Sequence, residues 1–285
     1  MIITVLSTPD SKFDLKAVDN VIKSYTTISQ LRKLPKIAFS QAYAITVENV
    51  PSELADELYN LSNSLGVDIV IQTLEQRKIQ LAVFDMDSTL IQAECIDLIA
   101  ESVGVGEKVS AITEAAMRGE LDFTQSLQER VKLLKGVNTT IYSKLIDTIE
   151  FMPGAKDLAV GLKQREISTA VLSGGFVPIA KWVQNTLQFD HAHANTLSEE
   201  NNLLTGTTQG PIVDGSRKAE LLQTIARDTG ISLANVLAVG DGSNDLPMMS
   251  VAGFGVAFKA KPLVQQKAPS RLNSGNLSDI LYLID

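Results

Sequence analysis

Disulfide bonds, membrane spans and leader peptides are all without support in this sequence. The chain has 285 residues and one cysteine, Cys95, so no disulfide can form within it, which favours a reducing compartment. No apolar run approaches the roughly 20 residues that cross a bilayer, and the first residues lack the basic stretch of a signal peptide. We therefore expect a cytoplasmic protein with no membrane partner.

Excess positive charge is missing too. Lysine and arginine total 25 against 33 aspartates and glutamates, which gives a net charge of -8. Proteins that bind nucleic-acid backbones normally present a basic face, so the charge argues against a nucleic-acid partner. A small anionic substrate is still compatible with a local basic pocket. The length predicts about two domains. The sequence allows a homodimer but does not fix the oligomeric state.

Several familiar binding motifs are absent. The segment from Gly104 to Gly106 is not followed by the third glycine of a dinucleotide fingerprint, and no glycine-rich loop ends in Gly-Lys-Ser or Gly-Lys-Thr. His191 and His193 alternate along a predicted strand, but without a third histidine or a nearby cysteine they do not indicate a zinc site. Cys95 is expected to be a buried helix residue.

Residues 1–76 are predicted to form a small α/β domain. Pro51 suits a helix start, Gly66 suits a helix end, and leucines recur between them at helical spacing. Short apolar or alternating segments predict strands at 2–6, 43–47 and 67–71. This order resembles an ACT-like regulatory domain, with fewer strands than a complete one.

Residues 77–285 are predicted to form a doubly wound α/β domain with a parallel sheet. Four short apolar runs have the composition of buried parallel strands: 81–84, 169–172, 189–193 and 236–239. Helical patterns separate these runs, as expected when parallel strands alternate with helices. The polar segment 73–78 marks the boundary with the first domain.

Two segments interrupt the alternation. More than 80 residues separate the first run from the second, far more than one crossover helix needs. A helical cap is therefore predicted at about 96–150, with helices at 96–103, 109–118 and 123–134. Residues 195–213, with glycines at 206 and 210, are predicted to leave the core as a hairpin.

Asp85 and Asp87 carry the strongest chemical signal. They directly follow the first apolar run, and two carboxylates this close repel each other unless a cation or a proton lies between them. Mg²⁺ is a hard cation that prefers oxygen ligands. Asp85 could attack phosphorus, while Asp87 could protonate the leaving alcohol and then activate water. The alternative is that both carboxylates only cap a helix.

Three further segments could complete a phosphoryl-transfer site. Ser173 and Gly174 end the second run, where a hydroxyl and a glycine amide could bind a phosphate oxygen. Asp241 follows the fourth run and suits a metal ligand, while Asn244 suits a substrate contact. Lys218 could neutralise phosphate charge. Taken alone, each segment is explained at least as well by an ordinary turn or a solvated helix, so the case depends on their joint occurrence.

Together these segments resemble the haloacid dehalogenase superfamily, over about residues 78–285. The residues that carry the resemblance are 84–89 (FDMDST), 173–176 (SGGF), Lys218 and 240–245 (GDGSND). The resemblance implies a Rossmann-like core and an aspartyl-phosphate on Asp85. It also implies Mg²⁺ held by Asp85, the backbone carbonyl of Asp87 and Asp241. Ser243 departs mildly from the family pattern, where alanine is frequent.

Within the superfamily, the cap resembles the branch that hydrolyses O-phospho-L-serine to serine and phosphate, the last step of serine biosynthesis. The resemblance implies that Glu94 binds the ammonium of the substrate, that Arg130 binds its carboxylate, and that Met117 and Phe123 close the pocket. Two alternatives stay open. One is a phosphatase for another phosphomonoester such as phosphohomoserine, and the other is a catalytically inert amino-acid-sensing protein.

Overall fold

The N-terminal part of the chain folds around an antiparallel sheet of four strands. The computed structural model describes residues 1–9, 11 and 13–285. The strands of this sheet and the two helices packed on it are, in chain order, β1 Ile2–Ser7, α1 Leu15–Tyr25, β2 Ile28–Lys33, β3 Gln41–Val47, α2 Ser52–Leu65 and β4 Asp68–Gln72. The strand order is β2-β3-β1-β4, which is the arrangement of a β-α-β-β-α-β unit.

The apolar faces of α1 and α2 build the core of this unit against the sheet. β1 is buried along its whole length because β3 and β4 pair with it on either side. The helix predicted after Pro51 is present, and it ends at Gly66, whose φ of 64° suits glycine. The sequence pattern did not point to β2, since this edge strand is mostly exposed and lacks an alternating apolar face.

The second sheet has seven strands and confirms the doubly wound α/β prediction. Its strands are β5 Leu81–Phe84, β6 Ser168–Phe176, β7 His191–Glu200, β8 Leu203–Gln209, β9 Val236–Gly240, β10 Phe254–Phe258 and β11 Ser270–Leu272. The order is β11-β10-β9-β5-β6-β7-β8, and all neighbours are parallel except the hairpin formed by β7 and β8. The sequence analysis predicted neither β10 nor β11.

Helices complete the core domain and form a separate cap. The core helices are α7 Ala155–Gln164, α8 Val177–Leu187, α9 Gly215–Asp228, α10 Leu246–Val251 and α11 Pro262–Lys267. The cap helices are α3 Cys95–Ser102, α4 Gly106–Met117, α5 Phe123–Lys132 and α6 Ile141–Ile146. The cap enters and leaves the core on adjacent segments, where Met152 N donates to Leu90 O at 2.8 Å. Within the described ranges, no helix combines the length and the apolarity needed to span a bilayer.

The two sheets are joined by buried polar contacts. The carboxylate of Asp68 accepts hydrogen bonds from Asn273 N at 2.8 Å and Ser274 N at 2.9 Å. Asp279, near the C-terminus, accepts one from Ser40 N at 2.9 Å. A short 3₁₀ turn at Glu75–Arg77 connects the sheets. The domain boundary between residues 76 and 77 stays a prediction.

Candidate active site

The carboxyl ends of β5, β6 and β9 meet at one edge of the seven-stranded sheet. β5 lies between the other two strands and is parallel to both, so the residues that follow each strand come together. Asp85 follows β5, Ser173 and Gly174 lie in the last part of β6, and Asp241 follows β9. Lys218 reaches the same edge from the first turns of α9. The structure thus gathers side chains that are up to 156 positions apart (241 minus 85).

Asp85 lies at the centre of this edge and is only 5% exposed. Its Oδ1 accepts hydrogen bonds from Met86 N and from Lys218 Nζ, both at 2.7 Å. Among the described residues no donor contacts its Oδ2, which is therefore available for reaction. Burial raises the pKa of the Asp85 carboxyl well above its usual range, repulsion from Asp245 adds to this, and Lys218 opposes both.

Lys218 is fully buried between two carboxylates. Its Nζ lies 2.7 Å from Asp85 Oδ1 and 2.7 Å from Asp245 Oδ1. Burial alone would lower the pKa of Lys218, but the attraction of Asp245 and Asp85 outweighs it, so the pKa is raised and the side chain stays a cation. Asp245 is also held in place, because its Oδ2 accepts from Asp241 N at 3.1 Å and Gly242 N at 2.9 Å. The sequence analysis gave Asp245 no role.

Asp87 is held by uncharged donors on both of its oxygens. Cys95 N donates to Oδ1 at 2.9 Å, and Ser173 Oγ donates to Oδ2 at 3.1 Å. Burial raises the pKa of Asp87, and these hydrogen bonds offset only part of that rise. Ser173 Oγ also accepts from Gly175 N at 2.8 Å, so the hydroxyl proposed for phosphate lies against Asp87 in this structure. Cys95 is buried in a helix, as predicted.

Asp241 completes an acidic cluster that fits a divalent cation. One carboxylate oxygen from each of Asp85, Asp241 and Asp245 lies within 4.8 Å of the others. Burial, with repulsion from Asp245, raises the pKa of Asp241 to about 6. Thr89 Oγ1 orients Asp241 by donating to its Oδ1 at 3.2 Å. The three carboxylates carry more negative charge than Lys218 can balance. Carboxylate oxygens are also the ligands that Mg²⁺ prefers.

The predicted metal ligands do not coincide fully with this cluster. Asp85 and Asp241 belong to it, whereas the carboxylate of Asp87 is turned towards Cys95 and Ser173. This orientation is compatible with the expectation that Asp87 offers only its backbone carbonyl. Asp245 joins the cluster instead, although its Oδ1 already binds the ammonium of Lys218.

A pocket of 350 Å³ lies between the acidic edge and the cap. Its size is within the range typical of small-molecule sites. Asp85, Asp87 and Asp241 line one wall of it, and residues directly before α3, on α3 and on α5 line the opposite wall. The lining residues at that wall are Glu94, Cys95, Ile96, Asp97, Phe123, Leu127 and Arg130.

Glu94 is exposed to solvent at the wall of the pocket, directly before α3. Ser88 Oγ donates to its Oε1 at 2.9 Å, which fixes the direction of the side chain. Partial desolvation of the carboxyl at the pocket wall, together with repulsion from the nearby Asp87, raises the pKa of Glu94 to about 7. A cationic group that binds beside this carboxylate would stabilise its ionised form.

Arg130 is half-buried on α5 and points an unpaired group into the pocket. Its Nε donates to Ser126 O at 3.2 Å. No hydrogen bond or ion pair within the described residues involves its two terminal nitrogens. Burial lowers the pKa of Arg130, and attraction to Asp97 and Glu94 opposes this. A guanidinium with free terminal donors suits a planar anion such as a carboxylate.

The remaining predicted residues divide into two groups. Phe123 and Asn244 line the pocket. Phe123 lies against Gly174, because a Cβ added to that glycine would be 2.8 Å from Phe123 Cζ. Met117 is at the end of α4 and is 70% exposed, outside the pocket lining. Its contact with a substrate stays a prediction.

Comparison with known proteins gives consistent matches over most of the chain. The family model described as haloacid dehalogenase-like hydrolase matches residues 82–250. The chain is 49% identical to a probable phosphoserine phosphatase of Schizosaccharomyces pombe over 209 residues, which cover 73% of this chain and 70% of the relative. It is 40% identical to the phosphoserine phosphatase of Saccharomyces cerevisiae over 282 residues, which cover 94% and 91%.

A solved structure shares the whole architecture. It is a haloacid dehalogenase family hydrolase of Salmonella enterica serovar Typhi, with a TM-score of 0.91 and 29% identity. The match covers 100% of this chain and 98% of the other, so both sheets and the cap have counterparts there.

Proposed function

The chain belongs to the haloacid dehalogenase-like hydrolases, and we propose that it is a phosphoserine phosphatase that hydrolyses O-phospho-L-serine through a phosphoryl group on Asp85. The observation that carries this proposal is the state of the Asp85 carboxylate. One oxygen is fixed by Lys218 at 2.7 Å, while the other has no donor among the described residues, and Asp85 lines the pocket. Such a carboxylate is oriented for attack on phosphorus.

In the first step, Asp85 Oδ2 attacks the phosphorus atom. The bond from phosphorus to the serine oxygen breaks, and that oxygen takes a proton from Asp87. Asp87 suits this task because both of its oxygens contact uncharged donors, whereas the ammonium of Lys218, 2.7 Å from Asp85 Oδ1, favours the ionised form of Asp85. Serine then leaves with its hydroxyl restored.

In the second step, Asp87 acts as a base. It takes a proton from water, whose oxygen attacks the phosphorus atom on Asp85. The bond between Asp85 and phosphorus breaks, inorganic phosphate is released, and both carboxyl groups return to their initial states. Cys95 N keeps Asp87 in one orientation throughout, so that the same carboxyl serves both steps.

The phosphoryl oxygens need positive charge and hydrogen-bond donors. We assign these roles to Lys218, Asn244, Ser173 and the backbone of Gly174. Asn244 and Gly174 line the pocket, whereas Lys218 and Ser173 are buried behind its lining, in contact with Asp85 and Asp87. Mg²⁺ would be held by Asp85, Asp241 and the backbone carbonyl of Asp87, with Asp245 adjacent. When bound, it supplies charge that keeps Asp85 ionised and stabilises the transferred phosphoryl group.

The metal assignment predicts a stabilisation that depends on pH. The pKa of Asp241 is about 6 in the folded chain, above its usual 3.8, so acidification through this range adds a proton and stabilises the metal-free fold. Protons therefore compete with the cation below about pH 6. Adding Mg²⁺ should raise the melting temperature clearly at about pH 7.5 and only weakly at about pH 5.

Two Asp→Asn variants, one at the proposed site and one away from it as a control, test whether the shift depends on this site. Asp241→Asn should abolish most of the Mg²⁺-dependent shift, and Asp228→Asn, at an exposed helix end, should leave it unchanged. Equal shifts at both pH values, or a normal shift in the Asp241 variant, would contradict the assignment.

The amino-acid end of the substrate is assigned to the cap. Arg130 would bind its carboxylate through the terminal nitrogens, Glu94 would bind its ammonium, and Phe123 would cover the pocket. The guanidinium stays ionised in the pocket, as arginine does throughout proteins, and attraction to Asp97 favours the charged form. We also propose that the reaction occurs in the cytoplasm and supplies serine for biosynthesis.

Removal of the Arg130 side chain should slow the hydrolysis of a substrate that has a carboxylate much more than that of a substrate without one. Arg130→Ala should lower kcat/KM for phosphoserine about 10- to 100-fold, the value of a lost charge-assisted hydrogen bond. The same variant should change kcat/KM for p-nitrophenyl phosphate by no more than about threefold, since that substrate has no carboxylate. Arg227→Ala, at an exposed position, is the matched control. Similar losses on both substrates would remove the case for carboxylate recognition.

A further inference from the structure

Near its end, β6 contains two residues more than the paired stretch of β7. In the pairing of β6 with β7, Leu172 lies opposite His193, and the next pair is Phe176 with Asn195. The chain therefore advances four residues on β6 and two on β7. The intervening segment, Ser173 to Gly175, leaves the ladder as a bulge, and its two glycines line the pocket.

This bulge needs a substitute for the ladder hydrogen bonds that it gives up. The side chain of Asn195 supplies one, because its Nδ2 donates to Gly174 O at 2.8 Å. Asn195 is 2% exposed, so an unpaired amide or carbonyl there would be costly. The position is also where β7 changes its partner, since Thr196 already pairs with Gln209 of β8.

The other end of the same amide binds a second element of the site. Val213 N donates to Asn195 Oδ1 at 2.8 Å. The next residue, Asp214, caps α9 by accepting from Arg217 N at 2.8 Å. Lys218 follows in the first turn of that helix and contacts Asp85. Asn195 thus connects the Gly174 segment with the start of the helix that carries Lys218.

We propose that Asn195 is a positioning residue for the phosphate side of the reaction. It fixes the distance between the Gly174 backbone and the α9 start, and so sets the width of the phosphoryl-binding site. Only a side chain with a donor and an acceptor on one planar group can serve both contacts. This inference rests on the proposed function, in which Gly174 and Lys218 surround the phosphoryl group.

Asn195→Asp separates the two contacts with almost no change in shape. The ionised aspartate still accepts from Val213 N, but it has no hydrogen to donate and repels Gly174 O, so the variant is measured at alkaline pH, where its carboxyl is ionised. Inhibition by the two reaction products then reports on each end of the pocket. The inhibition constant of inorganic phosphate should rise about tenfold, and that of serine should change less than about twofold. The kcat for phosphoserine should fall about tenfold or more.

The control is Asn235→Asp. Asn235 Nδ2 also donates to a backbone carbonyl, that of Lys78, and lies outside the pocket lining. Its variant should keep both inhibition constants of the wild type. Asn195→Ser, whose hydroxyl is too short to reach both partners, adds no charge and should reproduce the selective effect on phosphate. If Asn195→Asp does not fold, the inhibition constants of Asn195→Ser provide the test.

Two results would overturn the inference. One is an unchanged inhibition constant for phosphate in a folded Asn195 variant. The other is an equal rise for phosphate and serine, which would indicate general loosening of the fold. Phosphate inhibition can also be measured against p-nitrophenyl phosphate, so the Asn195 result is obtained separately from phosphoserine turnover. Failure of the wild type to hydrolyse phosphoserine would refute the proposed function alone.

Discussion

Replacing Asp85 by asparagine should lower kcat for phosphoserine by about 10⁴-fold or more. The amide is a poor nucleophile, and no other described carboxylate that lines the pocket combines a lysine contact with an oxygen that no donor contacts. Lys218 keeps Asp245 as its partner at 2.7 Å, so the fold should survive the substitution. Steady-state phosphate release by purified variant and wild type measures the effect.

A matched Asp→Asn variant distinguishes loss of the nucleophile from loss of the fold. Asp190 accepts hydrogen bonds from Thr169 N at 2.8 Å and Thr169 Oγ1 at 3.1 Å, near the opposite end of β6. Asp190→Asn should keep kcat within about threefold of the wild type. An Asp85→Asn variant that is folded and retains a rate within about tenfold would refute the assignment of Asp85.

Replacing Asp87 by asparagine should slow both steps. Comparing substrates whose leaving groups differ in their need for a proton shows which step limits the rate. With phosphoserine, kcat should fall about 10²- to 10⁴-fold, because the serine oxygen receives no proton. With p-nitrophenyl phosphate, whose leaving group needs no proton, the first step should persist while hydrolysis of the phosphorylated enzyme stalls. We expect a burst of about one p-nitrophenol per active site, followed by slow turnover.

Rapid mixing followed by absorbance measures this burst. Wild-type protein is the first control, since its two steps should be too balanced to leave the enzyme fully phosphorylated. Asp190→Asn is the second control and should behave as the wild type does. Absence of a burst in Asp87→Asn, together with equal loss on both substrates, would show that Asp87 does not act as acid and base.

Much of the site could be predicted because its residues directly follow apolar strands. The position of Asp85 after β5 and of Asp241 after β9 follows from the rule that parallel strands end at a common edge. Asp245 received no role because its function depends on a contact with Lys218, 27 positions away. Thr89 was missed for the same reason, since its hydroxyl binds Asp241 across the sheet edge.

The fold was predicted best where apolar patterns are strong. β5 and β9 are buried over their whole length and were identified from composition. β10 is equally apolar and fully buried, so the same signal could have found it. β11 has three residues, one of them Arg271, and no local pattern marks it as a strand. The exposed side chain of Met117 depends on how the cap packs, which spacing along the chain does not specify.

The most direct test of the account is to locate the phosphoryl group during turnover. Wild-type protein mixed with phosphoserine and Mg²⁺ is quenched in acid, digested and analysed by mass spectrometry. We predict an acyl phosphate on the peptide that contains Asp85, which hydroxylamine removes and which is absent from the Asp85→Asn variant. A quenched protein without any phosphoryl group, or with a hydroxylamine-resistant one on Ser88 or Ser173, would contradict the central claim.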